Sequence, residues 1–211
     1  MGDRELAARD FVGTATVEPD IRLESFLHTL ASAIESKDNY TGGHVLRVAH
    51  YAGSLAINLG LSSKIVRVVY LGAVVHDVGK IAVSDIILNK PDKLTAAEYD
   101  QMKRHTVEGH RILSCIDDVE MVARVALCHQ EKWDGTGYPS GLREEAIPVE
   151  ARIVTVADVW DALTTARPYR AAYTLEEALQ TMKSERGHTF DPFILDRFLD
   201  FDEGLFLKYL V

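Results

Sequence analysis

Positive charge is in short supply in this chain: 23 Lys and Arg stand against 32 Asp and Glu, a formal net charge of -9. That balance argues against a general binder of polymeric nucleic acid, whose footprint is a basic face. Cysteine is scarcer still, with only Cys115 and Cys128. Two cysteines without a secretory signal fit reduced thiols in a cytoplasmic protein rather than a disulfide scaffold. Long apolar runs are missing, and none approaches the roughly 20 residues needed to span a bilayer. The opening MGDRELAARD is charged and has no apolar core, so it is not a signal peptide. Alternating strand patterns, internal repeats and low-complexity tracts are absent too. A small anionic substrate is not excluded, because metals and a few Lys or Arg can reverse an acidic field locally.

What the chain does have is helical periodicity. Its 211 residues, 47% hydrophobic and 26% charged, suit one globular domain with a full core. Residues 1–20 lack a period and read as a tail or linker end, leaving 21–211 as the domain. Leu23, Phe26, Leu27, Leu30 and Ile34 mark a first amphipathic helix. DNYTGGH breaks it, and Thr41 or a following glycine opens a second, carrying Val45, Val48, Ala52 and Leu55 up to Gly60. A third runs into His76 and Asp77, where Gly79 reads as its stop. Residues 81–95 read as a connector. Thr95 with Glu98 forms a capping box for a helix through about His105, and Gly109 bends or divides the stretch beyond it. Val119 to Ala126 lead into Cys128 and His129; after a long polar loop, Ile153 to Leu163 form a helix bearing Asp158 and Asp161. Thr174 with Glu177 caps another, and Asp191-Pro192 opens the last. The fold expected is an all-α, single-domain helical bundle.

The chain centres on LGAVVHDVGK, Leu71 to Lys80. An imidazole and a carboxylate behind an apolar run are costly to bury unpaired. A divalent metal is one partner for them, since His nitrogen and Asp oxygen both ligate; for an isolated pair, a core His-Asp hydrogen bond is the alternative. His44, His76-Asp77, His105, His129 and Asp158 recur about 24 to 32 residues apart, roughly one helix and a turn each. Up-and-down helices at that spacing can aim one polar side chain each into a shared core. His50 and His110 lie well round their helices from His44 and His105, at about 100° per residue. His28 and His188 read as surface residues, and Cys128 as a core thiol.

HDVGK, CHQEKWDGTGYP (Cys128 to Pro139) and VADVWDALTTARPYR (Val156 to Arg170), in this order, resemble the HD-GYP family of cyclic dinucleotide phosphodiesterases. The similarity runs from about Ile34 to Pro192. It implies an all-α HD-domain fold with a long GYP loop, and hydrolysis of cyclic di-GMP, or a related cyclic dinucleotide, to linear pGpG or on to GMP. By the resemblance, His44, His76, Asp77, His105, His129 and Asp158 match metal ligands, with Asp77 bridging two divalent ions, Fe or Mn. Lys80 matches a lysine that touches substrate phosphate. Tyr138, Arg167 and Arg170 match positions lining the dinucleotide pocket, with Asp38 and Asp161 as weaker matches. Attack by a metal-bridging hydroxide, with Lys80 stabilising the phosphoryl oxygen, is the chemistry this set implies. The family also implies bacterial second-messenger signalling and leaves room for a homodimer and for a regulatory domain or partner protein.

Two departures stand out. Three-metal members carry a glutamate where this chain has Tyr40, and a second histidine where it has Gln130. Both changes favour two metals and cleavage that stops at pGpG. They also give some support to a weakly active cyclic-dinucleotide- or partner-binding module. From position alone, Lys80 could serve a helix dipole, Arg167 and Arg170 could be solvated charge, and Tyr138 could stack on a base or pack the loop.

Overall fold

The computed structural model describes residues 21–37, 43–166 and 171–200, and among these it contains helices and no strand ladder. Helix α1 spans Ile21–Glu35, α2 His44–Asn58, α3 Ser63–Val75, α4 Asp85–Leu88, α5 Ala96–Leu113, α6 Glu120–Cys128, α7 Val149–Thr164, α8 Leu175–Ser184 and α9 Pro192–Leu199. The all-α bundle expected from periodicity is what forms. Residues 1–20, read as a tail, lie outside the described residues.

Helices α2 and α3 pack together, with α7 lying against both and α6 closing on α3. The apolar stripes meet in one core, where Leu55, Val69, Val125, Ile153, Val156 and Trp160 are fully buried. Side chains of this size contribute roughly 1.5–3 kcal/mol each when buried. Trp160 of α7 meets Phe198 of α9 edge-to-face, ring centroids 5.4 Å apart, which ties the last helix to the bundle.

Both capping boxes form: Thr95 and Thr174 accept from the backbone N–H of Glu98 and Glu177, whose carboxylates accept in return. Helix α2 is opened by Gly43 at φ 73°, a left-handed conformation that favours glycine. Two expectations need correcting. The 3-10 turn Val78–Ala82 runs into the 81–95 connector, which also contains the short helix α4; both are too brief to show a period. Gly109 does not divide α5, which runs unbroken to Leu113.

The reason lies in Gly79. Its φ is not positive, so it is not the left-handed helix stop that its position suggests. A Cβ built there would fall 1.8 Å from the His105 carbonyl oxygen and 2.4 Å from the Gly109 nitrogen. Gly79 and Gly109 therefore allow the turn after His76-Asp77 to lie directly on the backbone of α5. That contact carries His105 to Asp77.

Candidate metal centre

Four histidines from four helices surround one aspartate. Asp77 follows the end of α3 and presents its two oxygens to two groups of imidazoles. Oδ2 lies 3.3 Å from His76 Nε2, while Oδ1 lies 3.4 Å from His105 Nε2 and 3.7 Å from His129 Nε2. His44, His76 and Asp77 form one cluster able to hold a metal; Asp77, His105 and His129 form the other. Asp158 joins the first group, with Oδ1 3.5 Å from His44 Nε2.

The far side of each ring is fixed. Nδ1 of His76, His105 and His129 donates to the carbonyl three residues earlier, on Ala73, Met102 and Ala126, at 2.7, 2.7 and 3.0 Å. His44 Nδ1 donates instead to Asp161 Oδ2 at 2.7 Å. With Nδ1 donating in all four rings, every Nε2 faces the centre and offers a lone pair whenever its ring is neutral. His105 and His129 then face each other lone pair to lone pair, Nε2 to Nε2 at 3.3 Å, and buried His76 Nε2 has no hydrogen-bond partner. Such an arrangement is repulsive by itself and becomes favourable around a cation. The residues present fit a pair of divalent metals.

With no ion bound, the carboxylates favour a proton on His76, which a metal would displace, while His105 and His129 stay neutral. Burial pulls His76 down, but the Asp77 and Asp158 carboxylates outweigh it and carry the imidazole up to about 9. Burial, helped by the positive charges of His76 and His105, pushes His129 well below the usual range. Burial likewise lowers His105, only partly offset by Asp77. Burial would raise Asp77, yet Lys80 and His76 hold it well below the carboxylate range.

The structure brings His44, His76, Asp77, His105, His129 and Asp158 together. Lys80 sits on the 3-10 turn with Nζ 2.8 Å from Asp77 Oδ2, at the edge of the centre. Tyr138 stands edge-to-face on His105, ring centroids 6.3 Å apart, and burial raises its phenol above the usual tyrosine value. Asp161 is placed differently from a pocket residue. It is buried behind His44, its carboxylate shared between His44 Nδ1 and the Arg47 guanidinium, whose Nε and Nη2 lie 2.6 and 3.1 Å from it. Asp38, Tyr40, Arg167 and Arg170 lie outside the described residues. His50 and His188 are exposed and His110 is half-buried; His28, also half-buried, rests against Tyr70. Cys128 is buried among Ile147 and Ala151 as a core thiol.

Three supporting residues escaped the sequence reading. Arg47, one turn after His44, anchors Asp161. Lys37 donates to the carbonyls of Lys80, Ile81 and Val83 and pairs with Asp85 at 3.3 Å, which closes the turn bearing Lys80. Glu131 is buried and accepts from Ser140 N at 2.7 Å and Leu142 N at 3.1 Å, fastening the GYP loop to the end of α6. Only the adjacency of Arg47 to His44 and of Glu131 to His129 marked them in advance.

The model of the HD domain matches residues 28–194. The cyclic di-GMP phosphodiesterase response regulator RpfG of Xanthomonas campestris pv. campestris is 47% identical over 184 residues, covering 86% of this chain and 49% of that protein. The 3'3'-cGAMP-specific phosphodiesterase 2 of Vibrio cholerae is 36% identical, covering 88% of this chain and 36% of that protein. The chain spans half or less of the length of these curated relatives. Among solved structures, a cyclic GMP-AMP-specific phosphodiesterase of V. cholerae superposes with a TM-score of 0.68 at 21% identity. It covers 89% of this chain and 50% of that one, a likeness of fold.

Proposed function

Because the chain belongs to the HD-domain family, and its resemblance to the HD-GYP group is matched by the relatives it aligns with, we propose that it is a metal-dependent phosphodiesterase that opens cyclic di-GMP to linear pGpG. The observation that carries this reading is the single carboxylate of Asp77 presented to two separate imidazole groups, one on each oxygen. His44, His76 and Asp158 would hold one ion, His105 and His129 the other, and Asp77 both. Imidazole and carboxylate donors suit Fe or Mn. Two such ions supply Lewis acidity toward the phosphate and a water acidic enough to attack near neutral pH.

The chain's own groups do the rest. Lys80 adds positive charge at the rim, where negative charge grows on the phosphoryl oxygen. Tyr138 walls the centre beside His105. Its phenol is protonated at physiological pH, and burial raises it further, so it can donate to a substrate oxygen and does not act as a base. Asp161 and Arg47 orient His44. Arg167, Arg170 and Asp38 are the further substrate contacts we propose, the guanidiniums through bidentate bonds to phosphate or guanine. Cyclic di-GMP is preferred to cGAMP because the relative at 47% identity is named for the former and that at 36% for the latter.

No helix among the described residues is long and apolar enough to cross a membrane. We read the setting as cytoplasmic second-messenger signalling, with a homodimer contact or a regulatory domain or partner protein governing the activity. Residues 21–211 would form the phosphodiesterase domain. The test is anaerobic reconstitution with Mn or Fe, metal analysis and product identification. Two metals per chain and accumulating pGpG are expected, with both metals and activity lost in Asp77→Ala. A fully metal-loaded protein that binds the dinucleotide without cleaving it would replace the enzyme with a binding module.

A further inference from the structure

The metal centre is not equally open on all sides. The side chains of His44, His76, His105 and His129 are at most 7% exposed, whereas those of Asp77, Lys80 and Asp158 are 18 to 19% exposed. Substrate therefore reaches the centre past these three residues, and Tyr138 borders the centre edge-to-face on His105.

From Tyr138 a row of rings continues outward. Tyr99, in the first turn of α5, meets the Tyr138 ring edge-to-face, with centroids 6.3 Å apart and planes at 81°. Tyr138 meets His105 with the same separation and angle. Tyr99 is 49% exposed, so the row ends in a phenol ring available to a ligand. Lys103, one turn along α5, holds its ammonium 5.2 Å from the Tyr99 centroid and pairs with Asp100 at 2.6 Å, which limits the ring's motion.

A cyclic dinucleotide carries two bases on one closed ring. With one phosphate at the metals, neither base can enter the histidine-lined centre, and each must find a surface at its rim. We propose that Tyr99 is a further substrate-contact residue, which stacks one purine of the cyclic dinucleotide at the outer end of the Tyr99–Tyr138–His105 row. This role rests on the phosphodiesterase reading above. Stacking on a phenol tolerates either purine, so Tyr99 supplies affinity and leaves the choice between guanine and adenine to other groups.

The experiment compares wild type, Tyr99→Ala and Tyr99→Trp, all Mn-loaded, on cyclic di-GMP and on methyl p-nitrophenyl phosphate, a diester with no base. Metal content is measured alongside. Tyr99→Ala should raise KM for cyclic di-GMP roughly tenfold, within the range that base–aromatic stacking supplies. Its kcat, its metal content and its kcat/KM for the small diester should stay at wild-type values, and Tyr99→Trp should restore KM. An unchanged KM in Tyr99→Ala overturns the proposal. So does a parallel loss on both substrates, which would mean that Tyr99 only braces Tyr138. Wild-type turnover of the small diester without turnover of any cyclic dinucleotide would instead overturn the cyclic-dinucleotide reading, and the stacking role with it.

Discussion

Replacing Gly79 by alanine should damage stability and the metal centre together. The added methyl would lie 1.8 Å from the His105 carbonyl oxygen, 2.4 Å from the Gly109 nitrogen and 2.8 Å from the His105 carbonyl carbon. All three obstacles are backbone of one helix, so no rotamer change relieves the clash and α5 must move as a body. Overpacking that side chains can absorb costs about 1–3 kcal/mol. Here the upper end applies, and about 3 kcal/mol corresponds to a Tm fall of roughly 6–12 °C at this chain length. The displaced helix carries His105, which lies 3.4 Å from Asp77 Oδ1, so Mn affinity should fall as well. Thermal unfolding by circular dichroism and Mn titration calorimetry measure the two effects. Gly60→Ala is the control. Gly60 has φ +70° but nothing within 4 Å of its Cβ position. Its strain is local, about 1 kcal/mol, so Tm should drop by about 2–4 °C with Mn binding intact. If Gly79→Ala melted within about 2 °C of wild type, below the shift expected for 1 kcal/mol, and bound Mn normally, the close approach would not be what positions α5.

Three further outcomes are expected from the same geometry. Asp161→Asn keeps the shape but removes the charge that His44 and Arg47 share. Affinity for the ion held by His44 and His76 should drop about 10- to 100-fold while the other ion is retained, giving near one metal per chain at limiting Mn; loss of both together would contradict it. The Cys128 thiol is pushed up to about 11 by burial, with Glu131 adding to the shift, whereas Cys115 is exposed. A raised pKa leaves Cys128 almost without thiolate at pH 8, so Ellman's reagent should titrate one thiol quickly in native protein and two after denaturation. Metal stoichiometry tests the Tyr40 and Gln130 departures: three ions per chain, or GMP formed without pGpG, would refute the two-metal reading.

Much of the bundle is legible in the sequence because its helices are long enough to show a period and carry their own punctuation, as at Thr95-Glu98 and Thr174-Glu177. The ligand histidines are legible for a related reason. They recur about one helix and a turn apart, at the start of α2, at the ends of α3 and α6 and midway along α5, and the packing of these helices brings them level. The features that cannot be read there are set by contacts between elements. Gly79 and Gly109 look like a stop and a break when each is taken within its own segment; their role is a backbone approach between two segments. Asp161 follows Asp158 by three residues and shares its helix face, so pattern alone does not tell a carboxylate facing substrate from one gripping the back of His44. Lys37 closes a turn more than forty positions away, and no local pattern records such a pairing.

The backbone bonds of the histidine rings have one more consequence. His76 and His129 each occupy the position where their helix ends, and each ring spends its Nδ1 proton on a carbonyl of that last turn. The rotamer entropy of these ligands is therefore lost when the helices fold, not when the metal arrives. Loading need not order them a second time, so the centre is preorganised and the affinity of its donors is not reduced by the cost of immobilising side chains.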